Sequence, residues 1–135
     1  MQTTVNFNSD ALEARVRQAF ASYSQLLEAE FTKQITTKQF NWPTTTVRGR
    51  YNRGSGSKQT VGSPRDIIDS GAFRQSQLRT QVTPYVYRYS WLGYAAPIYF
   101  GYKTQAGNQM PKRDWITPAL AKFPISVFME KYLKN

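Results

Sequence analysis

The chain has 135 residues and a mass of 15.5 kDa, with a formal charge of +10 and neither cysteine nor histidine. Surface scaling gives roughly 7,000 Å² exposed when folded against about 22,000 Å² unfolded, enough for one core and no second. Without cysteine there are no disulfides, thiolate metal sites or cysteine nucleophiles, and without histidine the commonest general base and metal ligand are missing. The 40% hydrophobic and 15% aromatic content is too rich for a wholly disordered chain. No run of about 18 apolar residues marks a membrane-spanning helix. Met1-Gln2-Thr3-Thr4-Val5-Asn6 has neither the charged start nor the apolar stretch of a secretory leader, so none is expected.

Charge is unevenly distributed. Between Glu30 and Asp66 there is no acid, while Lys33, Lys38, Arg48, Arg50, Arg53, Lys58 and Arg65 fall in that gap. A second acid-free stretch separates Asp69 from Asp114 and holds Arg74, Arg79, Arg88, Lys103, Lys112 and Arg113. A middle this basic attracts a polyanion or an acidic protein surface, or else forms a plain solvated face.

Residues 1–9 read as a polar arm. Asp10 followed by Glu13 has capping-box spacing, with Ser9 an alternative cap. Leu12, Val16, Ala19/Phe20, Tyr23, Leu26/Leu27, Phe31 and Ile35 then recur at steps of three and four, which predicts an amphipathic helix from about residue 10 to 35. Ala, Leu, Glu, Gln and Arg abound in it, and no glycine or proline interrupts it. The threonine-rich stretch around 44–51, after Trp42-Pro43, favours a strand. From Arg48 to Lys58, glycine, serine and cations replace apolar residues, so a mobile basic loop running to about residue 64 is expected, with 52–64 its flexible part.

Pro64–Asp69 suits a short helical turn ending at Ser70-Gly71. From Leu78 to Trp91 the period becomes two: Tyr85, Tyr87, Tyr89 and Trp91 on one side, Val86, Arg88 and Ser90 on the other. Such an aromatic stripe is read as half-buried core, with a base-stacking platform the minority reading. Pro84 marks an edge or a bulge. Gly93–Gly101 suggests a short helix or tight turn, and Gly107-Asn108 a turn. Thr117-Pro118 reads as a helix cap with proline at the first turn. Leu120, Phe123, Val127, Phe128, Tyr132 and Leu133 complete a second amphipathic helix to about residue 133, kinked at Pro124 unless it restarts there. The expected fold class is α+β: a long N-terminal helix and a C-terminal helix on a small, mainly antiparallel sheet.

Catalytic constellations are scarce. Asp66 and Asp69 would share a face of a helical turn, but capping and neutralisation of nearby arginines explain them as well. Glu28 and Glu30 diverge on the first helix. Gly54-Ser55-Gly56-Ser57-Lys58 lacks the phosphate-loop spacing. No catalytic, metal or cofactor site is expected, and the chain is not read as an enzyme.

Three stretches in order carry a resemblance: Ser70-Gly71-Ala72-Phe73-Arg74-Gln75-Ser76, Tyr94-Ala95-Ala96-Pro97-Ile98-Tyr99-Phe100-Gly101 and Met110-Pro111-Lys112-Arg113-Asp114-Trp115-Ile116-Thr117-Pro118-Ala119-Leu120. Together they resemble the tail-completion, or head–tail joining, family of long-tailed bacteriophages. That family shows Thr-Gly-x-Leu-Arg-x-Ser, Tyr-Ala-x-x-Val-Glu-x-Gly and Pro-Ala-Arg-Pro-Phe-Leu-x-Pro-Ala. The chain departs from this pattern at Ser70, Phe73, Tyr99 (where glutamate is common) and Asp114, while Trp115 keeps the aromatic. Gly71 and Gly101 suit turns or close packing, and Arg113-Asp114-Trp115 would lock the last helix onto the body.

The resemblance implies a virion protein at the head–tail junction, present in the host cytoplasm during assembly. Copies would form a ring, six-fold in the tail, that completes the tail tube and meets the head stopper or connector, without chemistry of its own. A head-side adaptor or stopper ring is the alternative within the neck. A small, monomeric basic nucleic-acid-binding module, using the basic loop and the Tyr85/Tyr87/Tyr89 stripe, is the alternative outside it. The expected contact residues are Arg48, Arg50, Arg53 and Lys58 in the loop, with Tyr99, Lys103, Lys112, Arg113 and Trp115 further on. The basic excess would face an acidic neighbour or, non-specifically, DNA in the lumen.

Overall fold

The computed structural model describes residues 1–4, 9–41, 46–48, 59–61, 63–64, 67, 72–103, 105, 107 and 109–134. Its organising element is helix α1, Ser9–Thr36, 28 residues and about 42 Å long. Ala19, Tyr23, Leu27, Phe31 and Ile35 are buried along it at a constant step of four, one stripe facing the rest of the molecule. The predicted stripe began earlier, at Leu12, yet Leu12 stands 57% exposed. The reason is the reach of the covering elements: Arg15 Nη2 donates to the last carbonyls of the C-terminal helix, Tyr132 O and Leu133 O, both at 3.3 Å, and Leu12 lies a turn beyond that end.

Strands β1 (Thr46–Arg48) and β2 (Gln59–Val61) pair antiparallel, with Thr46 opposite Val61 and Arg48 opposite Gln59. β2 thus lies inside the segment expected as loop; its Gln-Thr-Val sequence has the β-branched residues that pairing favours. After the short helix α2 (Ala72–Gln75), strands β3 (Leu78–Thr83) and β4 (Val86–Ser90) form a hairpin. Pro84 therefore sits in the turn between two strands, where its fixed φ helps reverse the chain, and the register shifts between Gln81 and Thr83. Helix α3 (Ala95–Phe100) follows, then a small ribbon of β5 (Tyr102–Lys103) and β6 (Gln109–Met110). The fold is α+β, and among the described residues its antiparallel part is divided into three two-stranded ribbons.

The C-terminal helix restarts at its proline. Helix α4 spans Thr117–Lys122 and α5 spans Ile125–Lys134. The residue before a proline is pushed out of the helical region, and Phe123 accordingly has φ −126° and ψ 75°. Its carbonyl accepts a 2.6 Å hydrogen bond from the Tyr23 hydroxyl, which ties the break to α1. Capping also differs from expectation: Asp114 Oδ1, not Thr117, accepts the N–H groups of Ile116 and Thr117, both at 2.9 Å.

The β3–β4 hairpin lies on α1 through its aromatic side, as the alternation predicts. Tyr89 packs 4.9 Å and Trp91 5.6 Å from the Phe31 ring, and Tyr85 meets Phe20 at 5.4 Å. Polar bonds fasten the same contact. Tyr89 Oη donates to Ser24 O at 2.6 Å, and Arg79 Nη1 donates to Ser24 Oγ at 2.6 Å. Arg79 Nε lies 2.7 Å from Glu28 Oε2. Gln77 Nε2 donates to Glu28 O, while Gln77 Oε1 accepts the Trp91 indole N–H at 3.1 Å. Burial pushes the Tyr89 phenol up to about 12. On the other flank, the buried Glu30 carboxylate takes Gln34 Nε2 at 2.9 Å and Lys122 Nζ at 3.4 Å. Carboxylates inside proteins are tolerated when paired in this way.

Candidate partner-binding surface

Trp115 is the packing centre beside α3, with 1% of its surface exposed. Phe73 from α2, Trp91 after β4 and Tyr99 from α3 surround it at 5.1, 5.3 and 5.4 Å, with ring planes 77–89° apart. Edge-to-face contacts of this kind add to the gain from burial alone. The indole nitrogen of Trp115 has no acceptor among the described residues. Three stretches separated in sequence, 70–76, 94–101 and 110–120, meet at this one cluster.

Gly101 closes the cluster from the other side. Its φ is +82°, and a Cβ built on it would stand 2.7 Å from Met110 O and 3.2 Å from Lys112 N. The chain leaving α3 therefore runs against the chain leaving β6, and Arg113 N donates to Ile98 O at 3.1 Å just beyond. Burial alone would push the Asp114 carboxyl up, but hydrogen bonds from the Thr117 side chain and backbone, the Ile116 N–H and the Tyr99 hydroxyl hold it below the usual range. Trp115, α3 and the start of α4 are thereby fixed relative to one another.

The structure sorts the sequence-predicted contact residues into three groups. Lys103 and Lys112 are exposed, with Lys112 Nζ 5.5 Å from the centre of the half-buried Tyr99 ring. Trp115 and Arg113 are buried, which corrects their expected place on a contact surface: the aromatic shell consumes Trp115, and the turn after β6 carries Arg113 inward. Arg48 pairs through its backbone with Gln59; its side chain, with Arg50, Arg53, Lys58, Gly71, Asp66 and Asp69, lies outside the described residues. The loop prediction and the Asp66/Asp69 reading fall there too.

Phe100 is a surface feature that the sequence reading passed over. It ends α3 with 73% of its surface exposed; Tyr94 ahead of the helix and Tyr102 after it are 49% and 39% exposed. Periodicity could not find it, because a six-residue helix is too short to show an outward face. Among the described residues, no group of three or more acidic side chains could hold a metal, and no helix is long and apolar enough to cross a membrane. No family model matches the chain, and neither curated proteins nor solved structures give a significant match.

Proposed function

We propose that the chain is a structural virion protein of a tailed-bacteriophage neck, a ring subunit that completes the tail tube and joins it to the head connector. The observation that supports this reading is the convergence at Trp115: the three stretches whose order resembles that family pack against one another through Phe73, Tyr99 and Trp115. The three stretches thus form one structural unit, although Phe73 and Tyr99, two of the residues that join them, are themselves departures from the family's pattern. On this reading the protein works by shape and charge complementarity, without catalysis. Modest contacts repeated around a homohexameric ring would add up. Its partners are other copies of itself, the tail tube protein and the head stopper or connector, at the head–tail junction of the virion.

Immunogold electron microscopy of particles from the source tests this. Label at the head–tail junction is the expected result, and the layer that carries it separates tail completion from a head-side adaptor or stopper. Absence of the protein from intact particles overturns the proposal.

A further inference from the structure

Strand β3 has one open edge. β4 pairs with it on one side, and among the described residues no strand and no other backbone hydrogen bond reaches the opposite edge. Alternate residues therefore turn N–H and C=O groups outward without a partner. Leu78, Thr80, Gln81, Val82 and Thr83 are exposed, and only Arg79 is partly covered. Arg79, the one charged residue of the strand, turns toward α1, where Glu28 and Ser24 hold it. Leu78 and Thr80 lie on the other, outward face, directly across from Ser90 and Arg88 of β4. Open edges are ordinarily guarded by proline or outward lysine; Leu78–Gln81, the regular part of β3 before its register shift, has neither.

Printed contacts fix where that edge lies. Gln77 bonds Glu28 and Thr32, Arg79 reaches Glu28 and Ser24, and Tyr85 meets Phe20, so β3 runs alongside α1 in the opposite direction. Beyond Glu28 around the helix come Ala21, Gln25 and Thr32, all uncharged. In a chain of net charge +10, this is a neutral strip where a second copy meets least repulsion. The β4 edge differs, because two-fold pairing there would set the exposed Arg88 against its own copy.

We infer that β3 pairs antiparallel with β3 of a second copy, giving a four-stranded sheet across a two-fold axis. Outward residues must oppose outward residues in such a pair. A register centred on Thr80 satisfies this. Thr80 then faces the second copy's Thr80, a favoured cross-strand pair, and Arg79 faces Gln81 instead of a second Arg79. Each α1 lies under a hairpin two strands wide, so at a strand spacing of about 4.8 Å the continued sheet brings the two helices to about 10 Å, a packing distance. A two-fold contact does not by itself close a ring, so this inference is separate from the neck reading and survives its failure.

Sedimentation velocity on the full chain tests the inference. A dimer is expected whose affinity rises between about 50 and 200 mM salt, because screening relieves repulsion between basic copies. The sequence has no cysteine, so Thr80→Cys introduces the only thiol. Mild oxidation should link chains in pairs, since Cβ atoms directly across antiparallel strands lie about 4.5–5.5 Å apart. Leu120→Cys, exposed on α4, should stay largely unlinked at the same concentration. Thr80→Lys should weaken dimerisation about 10-fold or more with an unchanged circular dichroism spectrum, because the side chain is exposed; Thr80→Val should keep the dimer. Any of four results overturns the inference: wild type monomeric at concentrations on the order of 100 μM, equal cross-linking at positions 80 and 120, a dimer that Thr80→Lys leaves intact, or an association that salt weakens.

Discussion

Replacing Gly101 with alanine tests the close approach beside Trp115, and two other glycines calibrate it. Gly101 has φ +82° and ψ 163°, a region essentially reserved for glycine that costs other residues about 1–3 kcal/mol. The new Cβ would also stand 2.7 Å from Met110 O. That neighbour is backbone, so relief requires moving the β6 chain, and with it the Arg113 N to Ile98 O bond, at a further cost of about 1 kcal/mol. The expected loss is about 3 kcal/mol, a drop in Tm on the order of 10 °C for a domain of this size. Gly107 shares the positive φ (+87°) but has nothing within 4 Å of its Cβ position, so Gly107→Ala should cost only about 1 kcal/mol. Gly93 is equally open and has no positive φ; alanine there should be neutral or stabilise by about 0.5 kcal/mol through the unfolded chain. Urea denaturation followed by tryptophan fluorescence gives all three values. If Gly101→Ala cost no more than Gly107→Ala, the argument from close approach would fail.

Three further predictions concern the contacts of α1 and α4. Trp115→Ala should lose about 3–5 kcal/mol, since it empties the centre of four packed rings; a loss below about 2 kcal/mol in the same denaturation series would contradict the packing described. Tyr89→Phe removes the hydroxyl that donates to Ser24 O and should cost about 1 kcal/mol at neutral pH. The folded Tyr89 pKa is raised from 10.0 to about 12, so its contribution is present below pH 10 and lost as pH rises to about 12; alkaline titration of stability should show that limb in wild type and a smaller one in Tyr89→Phe. Asp114→Ala deletes the acceptor for two N–H groups at the start of α4 and should cost about 1 kcal/mol. Because the folded Asp114 pKa is depressed below 3.8, the wild-type advantage should hold above that value and vanish as pH falls through the lower, folded one. An advantage that persists in fully acidic solution would argue against the capping role.

Much of the fold was legible because it follows from periodicity. The steps of three and four from Leu12 to Ile35 predict α1, whose buried side runs from Ala19 to Ile35 while Leu12 is exposed. The alternation of Tyr85, Tyr87, Tyr89 and Trp91 predicts a strand with that side inward, observed for Tyr89 and Trp91, with Tyr85 in the turn and 40% exposed. Pro124 announced an interruption, and the helix does restart there. Less was legible where one residue admits two local solutions. Pro84 reads as an edge or a bulge, yet the pairing of Leu78 with Ser90 leaves it in the turn between β3 and β4. Gln59–Val61 has too few residues for a periodic signal, so its pairing with Thr46–Arg48 could not be read in advance. Among the residues expected to make contacts, Lys103 and Lys112 are exposed, whereas Arg113 and Trp115 are interior. A basic or aromatic residue in a polar segment gives no sign of which way it turns.

The sequence by itself determined the α+β class, the long helix, the excess of positive charge and the absence of cysteine and histidine, because composition and short-range periodicity are local properties of the chain. Only the tertiary structure decided that Phe73, Trp91, Tyr99 and Trp115 form one cluster, that Gly101 leaves no room for a side chain and that Phe100 remains outside while Trp115 goes in. These outcomes depend on which distant segments come together. That choice is made by the total area buried and the hydrogen bonds satisfied across the whole chain, quantities that no single stretch of sequence contains.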